Sequence, residues 1–157
     1  MTESSQKPRR RDVIKWPHLV LRGVWELALA RRAMSNIGAR DIRRLNDAAI
    51  EHAGRSDPIS LDERLLHRVG FIITFTARYV PWRSDCLPQA IAAQHWLSME
   101  GIASEIRIGV ERPEGGDFGA HAWLVHEETI VTGGEIAHFS VLMGEDPAKK
   151  TPAQRKQ

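Results

Sequence analysis

The chain has 157 residues, of which 42% are hydrophobic and 27% charged, and its formal net charge is only +2. These values are typical of a single soluble globular domain, and so small a net charge gives no global field that would attract nucleic acid. A lone cysteine excludes an intramolecular disulfide, and no CxxC pair, HExxH motif or carboxylate cluster is present, so we expect no metal or cofactor.

The two ends of the chain are polar and basic. Residues 1–12 contain KPRRR and residues 147–157 contain KK and RK, so we predict disordered tails, with a contact to an acidic partner as the alternative. No secretory signal follows the first basic run, and the apolar residues 16–30 are interrupted by Arg22 and Glu26. That run is shorter than the roughly 20 apolar residues that a membrane span needs. We therefore expect a cytoplasmic protein with no membrane span and one domain over residues 13–146.

The first part of this domain, residues 13–80, is predicted to be helical. Apolar residues recur at helical spacing over 16–34 and 39–54, and Gly54 suits the end of the second helix. Ser60 and Glu63 form a capping box before a third helix of about five turns that runs toward Pro81. The sequence favours three helices here and shows no hairpin signal.

The second part, residues 81–146, begins with a helix whose start is sharply marked. Ser84 and Asp85 are both favourable N-caps, and Pro88 is tolerated only in a first turn, so we predict a helix that begins within one residue of Cys86. Gly101 is expected to end it.

After Gly101 the hydrophobic period changes from helical to alternating. Ile106 and Ile108 lie on one face of the first predicted strand, and Arg107 lies on the other. Further strands are predicted at 120–127, 129–133 and 139–143, and their short connections imply antiparallel pairing. The predicted fold class is α+β, with helices packed on a small antiparallel sheet.

Cys86 is a candidate nucleophile because of its place at a helix start. The unpaired N–H groups and the positive end of the helix dipole favour thiolate over thiol, and the same N–H groups can stabilise an oxyanion. The alternative is a buried structural cysteine, since free cysteine is among the most buried residue types. If Cys86 is the nucleophile, a nearby base is needed to accept its proton.

Among the seven histidines, His121 is the best candidate for that base. His18, His52 and His67 lie on predicted helices among charged neighbours, and His95 is nine residues from Cys86 along one helix, roughly 13 Å away. His121 follows the Gly-rich stretch EGGDFGA and begins an extended segment, which would hold its ring rigidly. By itself it is still more often a structural histidine than a base.

Two stretches taken together resemble a known family. PWRSDCLPQAIAAQHWLSMEGIASEIRIGV followed by GAHAWLV closely resembles the transglutaminase-like leader peptidases that mature lasso peptides. The shared elements are PWR-x-x-CLP, an Ala-rich helix, G-I-x-S, I-G-V and A-H-A-W, between Pro81 and Trp123. The helical first half is similar only in general character.

The resemblance implies a papain/transglutaminase-like fold and a cysteine endopeptidase that cleaves the leader from a lasso-peptide precursor. It makes Cys86 the nucleophile that forms a thioester and His121 the general base. The family often has an Asp about a dozen residues after the histidine, but this sequence has Gly133 there. Glu135 is the candidate for the residue that orients His121, with Glu127, Glu128 or a backbone carbonyl as alternatives.

The resemblance also implies partners, namely the precursor peptide and a separate lasso cyclase that resembles asparagine synthetase. Some relatives carry a fused leader-recognition domain with a strand hairpin. Because residues 13–80 lack that signal, we expect a stand-alone peptidase that uses a separate leader-recognition protein. Trp82 and Trp123 are expected to pack the core or to wall the site. Two other functions remain open, another Cys–His acyltransferase such as a transglutaminase or amidase, and a non-catalytic interaction module.

Overall fold

The order of helices and strands confirms the predicted α+β class. The computed structural model describes residues 17–34, 39–55, 63–111, 119–137 and 139–143. These residues form the helices α1 (Pro17–Ala33), α2 (Ala39–Gly54), α3 (Glu63–Thr76) and α4 (Cys86–Met99), and the strands β1 (Glu105–Glu111), β2 (Gly119–His126), β3 (Thr129–Thr132) and β4 (Ser140–Met143). The predicted tails at 1–12 and 147–157, the Ser60 cap and most of the Gly-rich loop lie outside the described residues.

Helix α3 is shorter than its sequence pattern predicts. It ends at Thr76, and the N–H groups of Tyr79 and Val80 then both bond to the Thr76 carbonyl, at 2.9 and 3.3 Å. Pro81 follows, and a proline disfavours the helical conformation of the residue before it. The chain therefore leaves the helix through a tight turn and reaches the start of α4 from there.

Helix α4 is the centre of the fold. It packs against α1, α2, α3 and the sheet, and most of its side chains are buried, including Ala90, Ala92, Ala93 and Leu97. A helix that is apolar on all sides is stable only when it is covered on all sides. Its N-terminus, which carries Cys86, is thus held by a rigid scaffold. Within the described ranges no helix is both long and apolar enough to cross a membrane.

The four strands form one antiparallel sheet in the order β3-β2-β1-β4. Leu124 of β2 belongs to the hydrophobic core beneath the helices, and alternation along the strand places His121 and Trp123 on its other face. Arg107, which the sequence pattern assigns to a polar face, lies directly opposite Trp123 and is buried. This second face is therefore covered as well.

Candidate active site

Helix α4 begins at Cys86, as predicted, and the sulfur-bearing side chain is half-buried. Asp85 is the N-cap residue, but its side chain makes no capping hydrogen bond and instead pairs with Arg83 at 3.2 Å. Pro88 has no N–H group, so the unpaired donors of the first turn are the N–H groups of Cys86 and Leu87, which have no intrahelical partner. The local sequence thus leaves two backbone donors beside the thiol.

The segment before the cysteine is tied to the first turn of α4. The Gln89 side chain donates a hydrogen bond from Nε2 to the Ser84 carbonyl at 2.7 Å. This contact closes the chain around Cys86 and fixes the backbone on both sides of it. Trp82, which precedes it, is half-buried and packs against the hydrophobic core.

His121 has a defined tautomer because of one hydrogen bond. Its Nε2 lies 2.8 Å from the carbonyl oxygen of Gly133. A carbonyl oxygen can only accept, so Nε2 carries the proton of the neutral ring and donates it. The lone pair is then on Nδ1, which is the nitrogen able to act as a base.

Aromatic rings hold the plane of the His121 imidazole. The Phe139 ring stacks on it with 4.9 Å between centroids and 28° between planes, and Trp123 lies at 6.1 Å and 24°. Trp123 is only 1% exposed, so it is packed inside the protein and also lies beside the His121 ring. These contacts restrict rotation of the imidazole and shield it from water.

Sequence reasoning did not single out Phe139. No local pattern marks this residue, because its contact with His121 is created by the connection between β3 and β4. That connection leaves the edge strand β3 and reaches β4 beyond β1. Gly133 lies at its start and Phe139 at its end, and both contact His121.

Glu135 is the side chain predicted to orient His121. Glu135 is exposed, and among the described residues no hydrogen bond joins it to His121. Glu127 and Glu128 are exposed in the turn between β2 and β3. The observed partner is a backbone carbonyl, which was one of the alternatives. An orienting role for Glu135 stays a prediction.

The nucleophile and the base are on two elements that pack together. Helix α4, which begins at Cys86, packs against β2, but it is Leu124 that faces the helices, and His121 lies on the other face of that strand. In the part of the chain that the structure describes, no hydrogen bond joins the thiol to the imidazole. Catalytic hydrogen bonds are often long in substrate-free sites and shorten when substrate binds. Direct pairing of the two residues stays a prediction.

His95, the histidine on the same helix as the cysteine, has a different partner. Its Nδ1 lies 2.6 Å from a carboxylate oxygen of Glu26, a buried residue of α1. The hydrogen bond to Glu26 raises the pKa of His95, and partial burial opposes that change. His95 therefore links two helices and is not available to the thiol.

Most of the chain is similar to a known protein family. The model of the Transglutaminase-like superfamily matches residues 23–144, which include all four strands and most of α1. No curated protein and no solved structure matches the chain significantly. The family match covers more than half of the chain, and the chain belongs to the Transglutaminase-like superfamily.

Proposed function

We propose that this chain is a cysteine endopeptidase that removes the leader from a ribosomally synthesised lasso-peptide precursor. The observation that carries the proposal is the hydrogen bond from His121 Nε2 to the Gly133 carbonyl, at 2.8 Å, which leaves Nδ1 free to take a proton from Cys86. The match to the Transglutaminase-like superfamily supports the Cys–His chemistry. The PWR-x-x-CLP and A-H-A-W elements support the lasso-peptide substrate.

The reaction is acyl transfer to the cysteine followed by hydrolysis. The Cys86 thiolate attacks the scissile carbonyl carbon, and the N–H groups of Cys86 and Leu87 stabilise the oxyanion. The His121 imidazolium gives its proton to the leaving amine, so the core peptide departs with a free N-terminus and the leader remains as a thioester. Water that is deprotonated by His121 then releases the leader as a carboxylic acid.

Leader recognition belongs to a separate protein in this proposal. The described residues before Pro81 form three helices and no strand, so they offer no hairpin edge to which an extended leader could pair. The freed amine of the core peptide is the group that a separate cyclase, similar to asparagine synthetase, joins into the macrolactam. All of these steps take place in the cytoplasm in this proposal.

The test is cleavage of a lasso-peptide precursor, with and without a separate leader-recognition protein, followed by mass spectrometry. We expect two fragments, and faster cleavage when the recognition protein is present. Cys86→Ala and His121→Gln should each abolish cleavage, whereas His18→Gln, which changes an exposed histidine at the start of α1, should not. Full cleavage by Cys86→Ala would exclude the proposal. A new amide to an added amine, in place of two fragments, would identify an acyltransferase instead.

A further inference from the structure

Gly133 has a backbone conformation and surroundings that exclude any side chain. Its φ is +112°, a region that residues other than glycine rarely adopt. A Cβ atom built on Gly133 would lie 2.3 Å from Trp123 Cβ and 3.1 Å from Trp123 Cα, far inside van der Waals contact. Trp123 is fully enclosed in the sheet, so it has no space into which to move.

The same position supplies the hydrogen-bond acceptor of His121. The Gly133 carbonyl accepts from Nε2 at 2.8 Å, and the absent Cβ would have been 3.4 Å from that nitrogen. An Asp at 133 could not present its carboxylate to His121 from this backbone, because its Cβ would overlap Trp123. The Gly133 carbonyl therefore accepts the hydrogen bond that a carboxylate side chain at 133 would otherwise accept from His121.

A carbonyl and a carboxylate share one property and differ in another. Both only accept hydrogen bonds, so both fix the proton of the neutral imidazole on Nε2. A carboxylate also adds a negative charge that stabilises imidazolium, whereas a carbonyl is neutral. A backbone group is in addition held by the strand that precedes it, here β3, and has no rotamers to lose.

We infer that the main-chain carbonyl of Gly133 is the positioning group for His121, that neither Glu135 nor any other side-chain carboxylate of the described residues takes part, and that glycine is required at 133 for this purpose. Its role in the reaction rests on the proposed function. The tautomer that Gly133 imposes on His121 does not depend on the proposed function, because the tautomer is a property of the protein without substrate.

The first test is the tautomer of His121 in the wild-type protein, without substrate. Long-range proton–nitrogen NMR of protein labelled with ¹⁵N-histidine, at a pH well above the ordinary histidine pKa of about 6.5, distinguishes a protonated Nε2 from a protonated Nδ1. The signal is assigned by its loss in His121→Gln. We expect proton occupancy on Nε2. A protonated Nδ1 would overturn the inference, whether or not any variant folds.

Two glycine variants then distinguish an effect specific to position 133 from the general effect of adding a side chain to a residue with a positive φ. Gly134 also has a positive φ, +66°, but a Cβ there would meet nothing within 4 Å. Gly133→Ala should produce a mixture of both tautomers and lower the cleavage rate by about 10²-fold, since an ångström-scale displacement of a catalytic group has effects of that size. Gly134→Ala should keep the Nε2–H tautomer. Gly133→Asp should show the same mixed tautomers and the same low cleavage rate as Gly133→Ala.

The outcomes distinguish this inference from the proposed function. A folded Gly133→Ala protein that retains the wild-type tautomer and cleavage rate would overturn the inference, as would a change of tautomer in Glu135→Gln. Absence of precursor cleavage by the wild-type protein, together with a protonated Nε2, would contradict the proposed function alone.

Discussion

Cys86 is exceptional at the scale of single residues because it is the only cysteine in the chain. Any thiol-specific reagent therefore reports on this one position. Its reactivity toward such a reagent depends on transfer of the thiol proton to a base, because the thiolate is the nucleophile. His121 Nδ1 is the nitrogen proposed to accept that proton.

Alkylation by iodoacetamide at neutral pH measures this effect without substrate. We predict that His121→Gln slows alkylation of Cys86 by at least about 10-fold, because the thiol loses its proton acceptor. Mass spectrometry of the intact protein gives the rate, and His18→Gln is the control for a general effect of losing an imidazole. Equal rates in the wild type and His121→Gln would show that the two residues do not interact.

At the scale of elements, hydrogen bonds from the side chain of Asn46 join α2 to the Ile106 backbone of β1, a contact that we call the clasp. Strand β4 pairs with β1 only from Ile108 to Val110, which leaves the start of β1 without a neighbour on that side. Asn46 of α2 takes its place there, because its Oδ1 accepts from the Ile106 N–H at 2.8 Å and its Nδ2 donates to the Ile106 carbonyl at 3.0 Å. Gln94 of α4 donates to the same Asn46 oxygen at 2.7 Å. The Asn46 amide thus makes the two hydrogen bonds to Ile106 that a neighbouring strand would otherwise make.

Removal of this clasp should destabilise the protein measurably. We predict that Asn46→Ala lowers the free energy of unfolding by about 2 kcal/mol, since the Ile106 N–H and carbonyl groups lose their partner away from bulk water. Urea denaturation gives the value. Asp47→Ala, which changes the exposed next residue of the same helix, is the matched control and should change little. A loss in Asn46→Ala no larger than in Asp47→Ala would contradict the role of the clasp.

At the scale of the whole molecule, an ion pair connects the outer helix α1 to the central helix α4. The Glu26 carboxylate is 3% exposed and accepts a hydrogen bond from His95 at 2.6 Å. Arg22 lies near both carboxylates of the network, 3.6 Å from Glu26 and 2.6 Å from Glu100. Because Glu26 raises the pKa of His95, folding and protonation of His95 favour each other.

The sign of the resulting pH dependence follows from the raised pKa. This contribution to stability is fully present below the unfolded-state value of 6.5 and is lost as the pH rises through the folded-state value. We predict that Glu26→Gln removes this pH-dependent part of the unfolding free energy, measured by urea denaturation at several pH values on both sides of 6.5. His95→Gln should remove the same part, and the double variant no more than either alone. A pH dependence unchanged in both single variants would contradict the linkage.

Much of the fold followed from local patterns, which also singled out Cys86 and His121, whose catalytic roles stay predictions. Helix spacing gave α1 and α2 nearly to the residue, and Pro88 placed the start of α4 at Cys86, because a proline fits only the first turn. Strand alternation and short connections gave the antiparallel sheet. The early end of α3 at Thr76 was missed, since apolar periodicity continues beyond the point where Pro81 makes the chain turn.

What the sequence by itself determined is the chemistry within single elements, a cysteine at the positive end of a helix and a histidine on a strand. Only the tertiary structure decided what surrounds His121, because Gly133 and Phe139 reach it through the pairing of β3 with β2 and the connection to β4. A sequence pattern can reveal a missing side chain at Gly133. It cannot show that the backbone carbonyl of that same residue accepts the hydrogen bond, because main-chain position depends on strand register and not on residue type.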